Sequence, residues 1–348
     1  MKKNKETTIY DIASELKISP STVSRALNKH KSIGKKTIKR VQDKALQLGY
    51  RPNHVAANLR NQKTHTIGVI ISRVDRPFIA TLIGGIESEA KKQGYNVIFT
   101  QSYDKTELEI ENANVLFNSR IDGLIVSLAM ETTNYDHFKL FTEKGIPLLF
   151  VDRVTESLNT DLVVIDNTHS GYMATKHLIE QGCKRIAHFA GAQHRDVYKN
   201  RRKGYENALL EHGIEIEEDL IVVLDILSAE DGYKAAMGML SQENRPDGIF
   251  TSNDTTAVSV IQCAKKLGIK VPEELAVIGF NNDSISTIID PPLSTIDHPA
   301  AQMGKIAARQ LLNKKIHPEI DSSNIVKLKT NLVMRASSNR LGKILSED

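Results

Sequence analysis

From Thr66 onward the chain alternates short, nearly continuous apolar runs with amphipathic stretches, and it does so twice over. The first set of candidate strands is Ile67–Ile71, Asn96–Phe99, Gly123–Val126 and Leu148–Val151, separated by candidate helices near 77–93, 106–118 and 134–144. The second set is Arg185–Phe189, Leu220–Val223, Gly248–Thr251 and Ala276–Gly279, interleaved with helices near 169–181, 200–212, 229–241 and 254–267. Strands apolar on both faces and spaced by helices belong to parallel sheets covered on both sides. The pattern therefore predicts two α/β lobes, each a doubly wound parallel sheet. A late helix near 300–313 and a last strand near 325–334 have no place in a simple tandem. They predict that the chain crosses between the lobes more than once.

In open parallel sheets, ligands bind beyond the carboxyl ends of the strands. Two such sheets facing each other enclose a cleft. The residues that follow the strands here are Ser72, Ser127, Asp152-Arg153, Asn253-Asp254 and Asn281-Asn282-Asp283. Any one of these is more often a turn or a helix cap than a ligand contact. A polar group after nearly every strand favours a binding cleft.

The first 63 residues differ in kind. They hold 15 Lys+Arg against 4 Asp+Glu, a balance of +11, whereas the remainder holds 31 against 38, a balance of −7. A basic head on an acidic body points to a polyanionic partner for the head. The head lacks the strongly apolar face of a membrane-surface helix, which favours nucleic acid. Thr8 to Asp11 has the form of a capping box opening a helix, with Ile9, Ile12, Ala13 and Leu16 on one face. A short link leads to Ser19, a suitable N-cap, and Pro20, suited to the first helical position because its missing N–H is an unpaired one anyway. The second helix turns Val23, Ala26 and Leu27 inward and leaves Ser21, Thr22 and Arg25 outside. A helix with small polar groups on its outer face can sit deep in a major groove. A third helix spans roughly Lys35–Leu48 and stops at Gly49. After Pro52, Asn53 can cap a helix of about two turns, too short to be stable alone in water. That helix is expected to form only when supported, and Asn61–His65 reads as a linker.

Four blocks of this head, Tyr10-Asp11-Ile12-Ala13, Ser21–Asn28, Gly49–Asn53 and Ala56-Ala57-Asn58-Leu59, resemble the DNA-binding head of the lactose/galactose-repressor (LacI/GalR) family in order and spacing. The resemblance extends over the body through Val151-Asp152-Arg153, Asn200–Tyr205, Ser252-Asn253-Asp254, Ile278-Gly279-Phe280, Pro291–Ile296 and Met303-Gly304. It implies a helix-turn-helix domain over 1–50, a hinge helix and linker over 51–65, and a periplasmic-binding-protein-like effector core over 66–340. The core would comprise an N-lobe of about 66–165 and 294–320 and a C-lobe of about 166–293 and 321–340, with three crossings. Family positions imply that Pro20, Ser21 and Arg25 read bases, and that Leu59 wedges into the minor groove with Asn53 and Ala56 packed nearby. Thr8, Tyr10, Thr22, Ser24 and Asn28 complete the implied DNA-facing set. Pro20 offers only apolar contact where a polar side chain is usual. The effector set implied by the resemblance is Ser72, Phe78, Ser127, Asp152, Arg201, Asn253 and Asn281. Phe78 serves as a stacking wall and Arg201 as the anchor, since a guanidinium can donate two parallel hydrogen bonds. Asn281, where sugar-responsive members often carry Asp, leaves the effector's chemical class open.

Competing chemistry finds little support. The eleven histidines show no metal-ligand spacing, with His188 and His194 lacking a completing cysteine or carboxylate. Neither a phosphate-binding Gly-x-x-x-x-Gly-Lys loop nor a Gly-x-Ser-x-Gly elbow occurs. Neither a cofactor nor a metal is expected. Cys183 and Cys263 stand apart, leaving one disulfide open but favouring buried thiols in a reducing cytoplasm. No apolar run approaches the ~18 residues of a membrane helix, and the N-terminus lacks a secretory apolar core. The expectation is a cytoplasmic, homodimeric, non-enzymatic regulator of repressor type that binds double-stranded operator DNA and a small effector such as a sugar or sugar derivative. The alternatives weighed are a sugar-processing enzyme with a DNA-binding head and a free solute-binding protein.

Overall fold

The computed structural model describes residues 7–50, 64–317 and 323–342, divided into a head ending at Thr64 and a body beginning at His65. The expected hinge residues Asn53, Ala56 and Leu59 lie outside the described residues.

Among the described residues the head contains three helices: α1 (Ile9–Leu16), α2 (Pro20–Leu27) and α3 (Lys35–Gln47). Thr8 caps α1 reciprocally: its hydroxyl accepts from the Asp11 N–H, and Asp11 Oδ2 accepts from the Thr8 N–H at 2.7 Å. Ser19 Oγ accepts from the Thr22 N–H at 3.1 Å, and Pro20 occupies the first helical turn. Ile12, Ala13, Leu16, Val23, Ala26, Val41 and Ala45 make the small core, with Leu27, Ile38 and Leu48 packed at its edge. Both expected helical stripes are therefore the buried ones.

The body holds two six-stranded sheets. The first contains β1 (Thr66–Ile71), β2 (Asn96–Gln101), β3 (Gly123–Val126), β4 (Leu148–Val151), β5 (Asp161–Ile165) and β11 (Ile325–Leu328), in the order β11-β5-β4-β3-β1-β2. All its pairings are parallel. The second contains β6 (Ile186–Ala190), β7 (Ile221–Val223), β8 (Gly248–Thr251), β9 (Ala276–Asn281), β10 (Ser294–Asp297) and β12 (Asn331–Val333), in the order β12-β10-β9-β8-β6-β7. Here only β12 runs antiparallel, against β10. The helices are α4 (Pro77–Lys92), α5 (Thr106–Asn118), α6 (Asp136–Glu143), α7 (Asn167–Glu180), α8 (Asp196–Glu211), α9 (Ala229–Leu240), α10 (Asp254–Lys266), α11 (Ile285–Ile288) and α12 (Ala300–Ile316).

The lobe boundaries expected after residue 293 and at 321 require correction. β10 pairs with β9, so Ser294–Asp297 still belongs to the second lobe, and the chain crosses only at 298–299. The expected single last strand is two strands in different sheets: β11 pairs with β5 in the first lobe, and β12 with β10 in the second. Strand β5 was not anticipated, and α8 begins four residues earlier than expected. The three crossings implied by the family resemblance are present, between β5 and α7, β10 and α12, and β11 and β12.

One close helix pair braces each lobe. In the first, a Cβ on Gly304 of α12 would lie 2.2 Å from the Leu82 carbonyl oxygen of α4. In the second, a Cβ on Gly204 of α8 would lie 2.0 Å from the Thr168 oxygen of α7. Only glycine permits such backbone approach, and in the second lobe it sets the depth of the helix that carries Arg201.

Candidate functional site

A cleft of about 320 Å³ lies between the lobes, lined from both. The first turns of α4, α8, α9 and α10 all border it, as expected where helices follow parallel strands.

Arg201 is the best-determined group in it. It is 3% exposed, donates from Nε to Asn167 Oδ1 at 2.9 Å and from Nη1 to the Ser252 carbonyl at 2.8 Å. Its guanidinium carbon lies 3.5 Å from the centre of the Phe280 ring. Burial lowers its pKa to about 10, so the group remains a cation at neutral pH. Asp152 follows β4 with φ 63° and lines the same cleft. Burial raises its pKa, opposed by the charges of Arg153 and Arg201. A carboxylate and a guanidinium facing one cavity offer an acceptor and a donor fork to neighbouring hydroxyls.

Phe78, on the first turn of α4, forms a wall and stacks on His298 with ring centroids 4.2 Å apart. Asn281 ends β9 with φ 112°, and its Oδ1 lies 3.4 Å from His298 Nδ1. Asn253 lines the cleft but is occupied within its own lobe. It accepts from the Thr256 N–H at 2.9 Å and donates to the Leu227 carbonyl at 2.9 Å, so much of its role is to cap α10.

Phe78, Asp152, Arg201, Asn253 and Asn281 therefore converge, whereas Ser72 and Ser127 do not join them. Both serines are fully buried and absent from the cleft lining, and neither Oγ has a hydrogen-bond partner among the described residues. At these strand ends the backbone continues the sheet pairing, Tyr103 N–H donating to the Ser72 carbonyl and Leu128 N–H to the Arg153 carbonyl, while both serine side chains stay buried.

Sequence reasoning did not single out Tyr198 or His298, and it named Asp283 only as part of the polar strand end Asn281–Asp283. Tyr198 sits on the unexpected first turn of α8, and its hydroxyl accepts from Arg153 Nη2 at 3.4 Å across the lobes. Asp283 lines the cleft, with its pKa pushed up to about 6 by burial. His298 lies in the crossing after β10. Burial holds its pKa well below the usual imidazole range, and its Nε2 has no partner among the described residues. The polar run Asn281–Asp283 carried a signal for Asp283; His298 carried none while β10 went unrecognised.

On the head, Tyr10, Ser21, Arg25 and Asn28 are exposed, and Pro20, Thr22 and Ser24 are half-buried. Thr8 is committed to its cap, and Asn28 Nδ2 donates to the Ser24 carbonyl at 2.9 Å. The Arg25 carbonyl accepts from the His30 N–H at 2.9 Å, whereas its exposed side chain forms no hydrogen bond or ion pair with any described residue.

A helix-turn-helix head joined to a two-lobed binding body defines a ligand-responsive DNA-binding transcription regulator. The family model "Periplasmic binding proteins and sugar binding domain of LacI family" matches residues 64–334, and "Bacterial regulatory proteins, lacI family" matches residues 8–53. The chain belongs to the LacI family of bacterial regulatory proteins. It is 32% identical over 331 residues to the NTD biosynthesis operon regulator NtdR of Bacillus subtilis, covering 95% of this chain and 99% of that one. A LacI family regulator from Enterococcus faecium with bound ribose is 27% identical, with TM-score 0.70, over 78% of this chain and 98% of that one. The lac repressor dimer bound to operator and the anti-inducer ONPF shares the fold at TM-score 0.85 and 23% identity, over 96% and 99% of the two chains. The named relatives are transcription regulators rather than enzymes. Among the described residues, no helix is long and apolar enough to cross a membrane.

Proposed function

We propose that this protein is a cytoplasmic, homodimeric repressor whose paired heads bind operator DNA and whose cleft holds a small polyhydroxylated effector, a sugar or sugar derivative. The observation that carries the reading is the buried Arg201 cation, fixed by Asn167, Ser252 and Phe280, beside Asp152 on the opposite lobe. Asp152, Arg201 and Asn281 address hydroxyls, Phe78 covers an apolar sugar face, and Asn253 orients the first turn of α10. Ser72 and Ser127, buried at the ends of β1 and β3, support the first lobe's side of the cleft rather than touch the ligand. The cleft works as a binding site, without chemistry on its ligand. On the head, Ser21 and Arg25 read base edges with Pro20 in apolar contact, while Thr8, Tyr10, Thr22, Ser24 and Asn28 lie along the DNA-facing side. The ligand-bound relative with ribose supports a sugar effector, and the operator-bound lac repressor dimer supports paired heads.

Linkage gives the mechanism. A ligand that prefers one relative pose of the lobes shifts the DNA-binding population by its differential affinity and by no more.

A thermal-shift panel of monosaccharides, disaccharides and their phosphates on the full chain tests the cleft, because a bound ligand raises apparent stability. Arg201→Ala should abolish the shift while binding to an operator selected in vitro persists. A normal shift in that variant would overturn the cleft assignment. Arg25→Ala should weaken specific binding far more than non-specific binding; equal loss on both would assign Arg25 to phosphate alone.

A further inference from the structure

Away from the cleft anchor, another cation joins the two lobes. Arg195, the residue before α8, is 5% exposed and reaches into the first lobe. Its Nε donates to the Met130 carbonyl at 2.9 Å, and its Nη2 to the Ala129 carbonyl at 2.5 Å and to the Thr132 carbonyl. His194 Nε2 donates to the same Met130 oxygen at 2.7 Å. Arg195 forms no ion pair with a carboxylate among the described residues, so carbonyl dipoles meet its charge.

The receiving loop is built by its own lobe. Fully buried Glu109 on α5 accepts from the Ala129 N–H at 2.6 Å and from Thr132 Oγ1 at 2.8 Å, with His137 Nε2 3.1 Å away. Asp104 Oδ1 accepts from the Met130 N–H at 3.2 Å. The amides are thus held from within, and the carbonyls point outward as a ready-made cage. A contact whose two halves are each shaped by their own lobe is a docking contact. When it parts, both halves exchange partner for water at modest cost.

We infer that Arg195 is a positioning residue: an interlobe latch whose guanidinium plugs the Ala129–Thr132 carbonyl cage and sets how readily the cleft closes on its effector. The link to the effector rests on the reading of the cleft above. The latch and the anchor share α8: Arg195 precedes it, and Tyr198 and Arg201 on its first turns face the cleft. A second interlobe cavity of about 230 Å³, bordered by Arg195, shares Asp152 and Arg153 with the main cleft. Closure at the latch therefore bears on Asp152, which the effector is proposed to meet, and on its neighbour Arg153.

Hydrogen exchange of the full, ligand-free protein tests the latch directly. Arg195→Ala should raise exchange about tenfold in peptides spanning 127–133 and also in the distant cleft-lining segments 226–229 and 252–255, while β8 and β9 stay protected. Arg195→Lys, which keeps the charge but loses the fork, should lie between. Glu109→Gln, which weakens the cage's internal hydrogen bonds and removes a charge near Arg195 while keeping its guanidinium, should reproduce the pattern and serves if Arg195→Ala fails to fold. Changes confined to 192–198, or a uniform rise that includes β8, would overturn the latch. The measurement needs no ligand. If the pattern appears while Arg201→Ala keeps a normal sugar response, the latch stands and the effector reading falls. If Arg201→Ala loses the response and Arg195→Ala leaves exchange unchanged, the reverse holds.

Discussion

The two lobes are built on nearly the same plan yet spend their buried polar groups differently. The first closes its sheet with a parallel edge strand, β11, and places aromatic side chains such as Phe138, Phe141 and Phe150 beneath it. The second closes with antiparallel β12 and a strap at 335–338 that is held by hydrogen bonds. Ser337 Oγ donates to the Val277 carbonyl at 2.7 Å, Ser338 Oγ bonds Ser294 Oγ at 2.6 Å, and His177 Nε2 meets Ser338 Oγ at 2.6 Å. Arg335 reaches Ser286, Leu293 and Asn282. Arg201 and Asp254 also lie in this lobe. The difference teaches a division of labour: the second lobe is a preset polar anchor, and the first supplies a wall, Phe78, a carboxylate, Asp152, and the cage for Arg195. Buried polar networks fully satisfied in one geometry resist adjustment, so the moving partner is expected to be the lobe with fewer of them at the cleft.

The glycine braces give the sharpest way to break this contrast. Gly204→Ala and Gly304→Ala each force a Cβ against a backbone carbonyl, and each should cost roughly 1–3 kcal/mol in urea denaturation. Only Gly204→Ala should also weaken the ligand-induced thermal shift, because a Cβ on its partner Gly171 would lie 2.2 Å from the Arg201 carbonyl, so this helix contact sets where Arg201 sits. Equal effects of the two variants on ligand response would erase the division of labour.

A smaller effect concerns Asp254. Its Oδ1 accepts from Thr295 Oγ1 at 2.7 Å and its Oδ2 from the Asp283 N–H at 2.7 Å, and burial raises its pKa to about 8. Because the folded pKa lies above the ordinary value of 3.8, the folded protein holds a proton that the unfolded chain releases. This contribution to stability is therefore fully present below about pH 4 and is lost as pH rises from there through about 8. Asp254→Asn retains one donor and one acceptor in the same place and removes the titration. Its Tm should exceed that of the wild type at pH 8, and the decline that remains should end near pH 6, where Asp283 titrates. An unchanged pH slope would show that Asp254 is ionised in the fold. The smallest effect is expected at Lys265–Asp290, an exposed pair at 2.9 Å with the Asp290 side chain 90% exposed. Lys265→Ala should shift stability by less than ~0.5 kcal/mol, and a larger shift in denaturant midpoint would mean that the second lobe depends on its surface charges as well.

The head was almost wholly legible. Its caps, at Thr8 and Ser19, and its apolar stripes are local features, and local hydrogen bonding with a 3.6-residue period decides them. In the body, eight strands, β1–β4 and β6–β9, and the helices between them were equally readable, whereas β5 was not. The cleft was legible in part: Asp152, Arg201 and Asn281 follow from strand ends and the family pattern. Ser72 and Ser127 shared that signal, yet both are fully buried and absent from the cleft lining, and no strand-end rule reports how deeply a strand end is buried.

By itself, the sequence determined the basic head, the repeated α/β alternation, the helix caps and the polar strand ends, because each depends on neighbours within a few residues. Tertiary structure decided which sheet receives β10, β11 and β12, since three- and four-residue strands carry too little pattern to choose a partner. It decided that His298 lies in the cleft and that Arg195 reaches the carbonyls of Ala129, Met130 and Thr132, more than sixty positions away in the chain. Those placements come from the packing of whole lobes, where backbone carbonyls, identical in every sequence, become the partners that a charge must find.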